Sequence, residues 1–128
     1  MLSRCSMLLA LATLSAAGAA AAAPKDPVLD ACLDKADGVT VAMHNCYAAG
    51  FQRADARLNA VYRRALKELE PPVRARLVAA QRAWVTFRDL DCRVAAEREA
   101  GGSMAPLAID ECAIRHTLVR IDDLSDGK

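Results

Sequence analysis

The stretch from Thr40 to Leu69, TVAMHNCYAAGFQRADARLNAVYRRALKEL, decides the fold. Within it Met43, Tyr47, Gly50, Ala54, Leu58, Val61, Ala65 and Leu69 recur at spacings of three and four, which lays one apolar or small-residue face along a helix. At about 30 residues this helix is long for a small domain. Thr40 supplies an N-capping oxygen, and Pro71 and Pro72 end the run.

Working outward, Asp26 and Pro27 form a helix start, because a carboxylate caps the first turn and a proline ring tolerates it; this helix runs to about Asp37, and Gly38 stops it. On the other side Pro72 opens a third helix whose Leu77, Ala80, Trp84, Phe87 and Val94 keep the helical period until Gly101 and Gly102. A fourth begins after Ser103 and carries Leu107, Ile114, Leu118, Ile121 and Leu124, with Pro106 in its opening turn. The tail from Ser125 to Lys128 is expected to fray. No segment alternates with period two. The expected fold is all-α, a small antiparallel bundle of about four helices, two of them long.

The start of the chain has a different character. Arg4 makes a short basic region, Met7 through Leu14 are apolar, and Ser15 to Ala23 are small, which is the layout of a secretory signal peptide over residues 1–23. The apolar run is too short to cross a membrane as a helix. Ala21 and Ala23 fit the cleavage rule; because Pro24 is a poor first mature residue, a cut after Ala22 is the alternative. Cys5 lies at the wrong end of the segment for lipid attachment, so no membrane anchor is expected after cleavage. Residues 24–128 are then one domain's worth of chain, in the periplasm or secreted.

Loss of Arg4 reduces 17 basic residues to 16, against 16 acidic ones, so the mature chain is formally neutral and a poor candidate for nucleic acid. Five cysteines become four: Cys32, Cys46, Cys92 and Cys112. An even number in a small exported domain reads as two disulfides. Counting residues from each turn levels Cys32 with Cys46, Cys92 with Cys112, and also Cys46 with Cys92. Two pairings stay open: Cys32–Cys46 with Cys92–Cys112, favoured because each closes a local hairpin, or Cys46–Cys92 with Cys32–Cys112. A metal site at Cys112 and His116, or at His44 and Cys46, is the weaker reading, since the chain has no C-x-x-C pair; neither metal nor cofactor is expected.

Two motifs carry a resemblance. Ala54-Asp55-Ala56-Arg57-Leu58-Asn59-Ala60-Val61-Tyr62 has the pattern A-D-x-x-L-N-x-x-Y, and Gln81 to Cys92, with Ala80 before it, has A-Q-x-x-W-x-x-[YF]-R-D-x-x-C. With Gly102-Ser103-Met104, Cys112 and Thr117 to Arg120 following in order, the chain resembles the N-terminal domain of the LprI-type lysozyme inhibitor family of bacterial exported proteins. The resemblance implies a helical binding domain whose partner is lysozyme, with no catalytic residues to carry over. A periplasmic module that binds some other envelope protein is the alternative.

The motif residues Asp55, Leu58, Asn59, Tyr62, Gln81, Trp84, Arg88, Asp89 and Arg120 are read first as structure. Counted from the Pro–Pro turn, Asn59 levels with Trp84 and Asp55 with Arg88, so a polar contact and an ion pair between the two long helices are expected. Trp84 is the core anchor in preference to a ligand platform, and Arg120, level with it, stacks on its ring or lies on a solvated face. Arg63, Arg64, Arg74 and Arg76, with Lys67 and Arg82, gather around the Pro–Pro turn as the candidate partner-binding cluster; only Glu68 and Glu70 interrupt them. A basic projection suits a cleft lined by catalytic carboxylates, as a lysozyme's glycan groove is. An enzyme is not expected. The mature chain has two serines, neither near a histidine in sequence, and Asp89, Asp91, Glu97 and Glu99 read as the solvated side of a helix.

Overall fold

The computed structural model describes residues 25–98 and 102–126, and the expected signal segment, residues 1–23, lies outside them. Four helices follow in order: α1 (Pro27–Ala36), α2 (Thr40–Glu68), α3 (Pro71–Arg98) and α4 (Ala105–Ser125). There is no strand among the described residues, and no helix there is long and apolar enough to cross a membrane.

Each boundary has a local cause. The Asp26 carboxylate accepts from the Val28 and Leu29 N–H groups, both at 3.1 Å, and so satisfies donors that the first turn of α1 leaves unpaired. Asp37 and Gly38 take positive φ, 45° and 75°, to reverse the chain into α2. Glycine reaches that region without strain. Thr40 is the first residue of α2 and not its cap; Val39 precedes it in extended conformation, without a side-chain hydrogen bond. At the far end of α2 the Arg74 guanidinium donates to the Leu69 carbonyl at 2.9 Å, which closes the Pro–Pro turn.

Both disulfides take the local pairing. Cys32–Cys46 staples α1 to α2 and Cys92–Cys112 staples α3 to α4, with Cα separations of 5.7 and 5.4 Å. In the loop-entropy account each bridge stabilises the fold by about 3 kcal/mol.

One expectation about packing fails. The two long helices are consecutive, yet their backbones stay apart: α4 packs against both α2 and α3, and α1 covers α2. The order of contacts along α2 and α4 shows that they run in parallel, from His44 with Asp110, through Gly50 with Ile114, to Ala65 and Leu69 with Leu124. Small residues let α4 approach α2. A Cβ on Gly50 would stand 3.3 Å from Ile114 Cδ1 and 3.4 Å from Leu29 Cδ1. The core is therefore built by Leu29, Tyr47, Leu58, Val61, Leu107, Ile114, Leu118 and Ile121, from α1, α2 and α4.

Helix α3 contributes differently. Its buried residues are Gln81, Arg88 and Cys92, with Trp84 half-buried against the core. Phe87 and Val94, expected inside, are 55% and 46% exposed. The stripe facing α4 is 81, 84, 88 and 92, which reads as polar in sequence because two of its members carry an amide and a guanidinium.

Candidate functional site

Of the motif residues, Gln81, Trp84, Arg88 and Arg120 come together at the gap between α2 and α3. Arg88, 8% exposed, lies with its guanidinium carbon 5.3 Å from the Phe51 ring centre and 5.2 Å from that of Trp84. A delocalised, weakly hydrated cation suits such a place, since the faces of aromatic rings attract it where water is scarce. Its Nε and Nη2 donate to one Asp89 oxygen at 2.9 and 2.8 Å. Arg120, from α4, lies 5.8 Å from the same Trp84 ring and donates through Nε to Gln81 Oε1 at 3.0 Å. Three helices thus meet in one cluster of rings and guanidinium groups.

Two sequence-based pairings are corrected here. Arg88 bonds to Asp89 and not to Asp55, and α2 meets it through Phe51 instead. Asn59 is exposed and donates to Asp55 at 2.9 Å, one turn back on its own helix, instead of reaching Trp84. Both differences follow from α4: with the α2 and α3 backbones held apart, only a long side chain against a ring spans the gap. Arg120 on Trp84 agrees with the expected level. Leu58 is buried, while Asp55 and Tyr62 are half-buried. Phe51 was missed because it flanks the apolar stripe of α2; its signal was a position one turn before Asp55.

Two histidine–carboxylate pairs tie α4 to its neighbours. His116 Nε2 is 2.8 Å from Asp91 on α3, and His44 Nδ1 is 3.2 Å from Asp110. The ligand atoms of Cys92, Cys112 and His116 lie within 4.8 Å of one another, but the two sulfurs are bonded to each other, and a disulfide is not the thiolate donor that zinc requires. At the opposite side, burial disfavours the charged form of Asp26, yet hydrogen bonds from Leu29 and Val28 and the Arg53 guanidinium at 3.0 Å outweigh it and hold that carboxyl below its ordinary range. Tyr47 is pushed up by burial, with Glu111 and Asp110 adding to it.

The basic turn sits where α2 ends and α3 begins. Arg63, Arg64, Arg74 and Arg76 are all exposed. Arg74 is engaged in closing the turn, whereas Arg63, Arg64 and Arg76 make no ion pair among the described residues. Arg76 borders a half-open cavity of about 450 Å³ whose walls include Leu69, Val73, Leu77 and Leu124. One cation, Arg76, and one carboxylate, Glu68, thus border a largely apolar hollow on a tip fixed by two prolines and a capped carbonyl. The structure does not join this tip to the Arg88 cluster: the first is a surface, the second an internal brace.

Comparison with known proteins agrees with the motif reading. The family model described as "Lysozyme inhibitor LprI" matches residues 32–124, from the first disulfide cysteine to the last turns of α4. An uncharacterized protein of Rhizobium meliloti (strain 1021), R02472, is 31% identical over 94 residues, covering 63% of this chain and 68% of that one. No solved structure matches. With both staples, both motifs and the whole of α2 and α3 inside the matched span, the chain belongs to the lysozyme inhibitor LprI family.

Proposed function

We propose that this chain is an exported, non-catalytic binding protein that inhibits lysozyme, with residues 1–23 a cleaved signal peptide and residues 24–128 the working domain. The observation that carries the reading is the family match across residues 32–124. Two disulfides favour an oxidising compartment outside the cytoplasm, and the periplasm is the compartment proposed. The inhibitory surface is the basic turn. Arg63, Arg64 and Arg76 present guanidinium groups without internal carboxylate partners, and a glycan cleft offers catalytic carboxylates that such groups complement. Arg74 acts beneath them by holding the turn. Inhibition then follows from occlusion, with no bond made or broken.

The test is hydrolysis of peptidoglycan by a panel of lysozyme types in the presence of the mature, oxidised protein. Inhibition of at least one type is expected, and the Arg63→Ala/Arg64→Ala/Arg76→Ala variant should weaken it by about ten- to a hundred-fold, the loss of about 1.4 to 2.8 kcal/mol of charge pairing. Unchanged inhibition by that variant would remove the site from the turn. Failure against every type would remove the function.

A further inference from the structure

The Cys92–Cys112 staple has a histidine beside it. His116 follows Cys112 by one turn of α4, and the ligating atoms of Cys92, Cys112 and His116 all lie within 4.8 Å of one another. The two cysteines, their Cα atoms 5.4 Å apart, deliver both sulfurs to one point where α3 meets α4. The imidazole is fixed as well. Its Nε2 is 2.8 Å from the Asp91 carboxylate, and its ring stands edge-on to Phe87 at 5.5 Å. That pairing occupies Nε2 and leaves Nδ1 to ligate, the arrangement in which a carboxylate behind a histidine orients it toward a metal. Donors about 2.0–2.3 Å from a tetrahedral zinc stand roughly 3.3–3.8 Å from one another. Three donors already within 4.8 Å close on such an ion by side-chain rotation alone.

We infer that this joint is a redox-gated metal site: opening the Cys92–Cys112 bridge turns it into a two-thiolate, one-imidazole site for zinc or a similar divalent ion. A dithiol reductant carries the opening step. One of its thiolates attacks a bridge sulfur, breaking the S–S bond and forming a mixed disulfide; its second thiol then displaces that cysteine, so two electrons and two protons reach Cys92 and Cys112 and the reductant leaves as a disulfide. The ion replaces the two thiol protons, which pass to solvent. Cys92 and Cys112 are 1% and 3% exposed, but a half-open, polar cavity of about 270 Å³ reaches Cys112 between Arg98, Glu111 and Arg115. This is the way in. Glu111 and Asp91 balance the two arginines there, and the thiolates bring the negative charge that the ion requires. Water takes the fourth position, with Asp91 behind the histidine. The ion ties α3 to α4 as the bridge does, so the joint is held in either redox state.

Cobalt(II) titration of the mature protein, reduced, freed of reductant and kept from oxygen, tests this, because cobalt reports its ligands by absorbance. One ion per reduced chain is expected, with thiolate-to-cobalt charge transfer and the visible bands of a tetrahedral ion, displaced by zinc and not seen with the oxidised protein. His116→Ala should weaken binding about ten-fold or more, and Asp91→Asn about ten-fold. Cys32→Ser/Cys46→Ser should leave stoichiometry and spectrum unchanged. No uptake by the reduced chain at micromolar concentration would overturn the proposal. So would binding that survives Cys92→Ser/Cys112→Ser, that is lost in Cys32→Ser/Cys46→Ser, or that His116→Ala leaves at wild-type strength.

Discussion

Arg88 is the residue on which the packing of α3 depends. Its guanidinium lies near two rings and bonds one carboxylate, so Arg88→Ala removes a buried stem, two cation–π contacts and the partner of Asp89. The expected cost is about 2–4 kcal/mol in urea unfolding. Arg88→Lys should recover less than half of it, because a point ammonium lacks the flat face that the rings contact. Its role could be read only partly from the sequence: a guanidinium near Trp84 was foreseeable from helical spacing, but the Phe51 contact was not, since it depends on how far apart two helices stand. Asp26 makes a second residue-scale prediction. Its folded carboxyl lies below the ordinary range because hydrogen bonds and Arg53 outweigh burial, so its contribution is present above about pH 4 and is lost as pH falls through the folded value. Asp26→Asn keeps a capping oxygen without the charge. Its stability should therefore decline less steeply than the wild type's below about pH 4, and parallel curves would refute the assignment.

At the scale of elements, α2 and α4 were legible because their cores are apolar and periodic. Helix α3 was not, because hydrophobicity alone assigns Phe87 and Val94 to the interior, where the fold places Gln81 and Arg88. Chain order misled in the same way. A tight Pro–Pro turn suggests that α2 and α3 pair, but Gly50 gives α2 a low face against which Ile114 of α4 sits, and Ala54 and Leu118 share the same core. Gly50→Leu tests that approach. Added bulk beside Ile114 Cδ1 and Leu29 Cδ1 should cost about 1–3 kcal/mol, against the roughly 1 kcal/mol that helix propensity would return, measured by thermal or urea unfolding. The disulfide pairing was legible in favoured form, since local hairpins set the cysteines level. Cys92→Ser/Cys112→Ser should lower stability by about 3 kcal/mol and loosen α3 first, which hydrogen exchange along α3 and α4 would show.

The whole molecule divides its labour. One end is stapled, with α1 on α2 and the Cys92–Cys112 bridge holding α3 to α4. The middle is braced by rings and guanidinium groups between α2 and α3, which do not pack closely on each other. The other end is the basic turn, fixed by Pro71, Pro72 and the Arg74 cap, with Arg63, Arg64 and Arg76 exposed and making no ion pair among the described residues. Of this organisation the sequence disclosed the charge cluster and its place at a turn, and hid the cavity beside Arg76, which exists only because three helix ends meet there. The central claim is that this turn occupies a lysozyme's glycan cleft. Capture of lysozyme by the immobilised mature protein, with and without a saturating oligosaccharide fragment of the glycan strand, tests it most directly. The account predicts that oligosaccharide and protein exclude each other, so capture falls as the cleft fills; lysozyme captured equally well with its cleft occupied would contradict it.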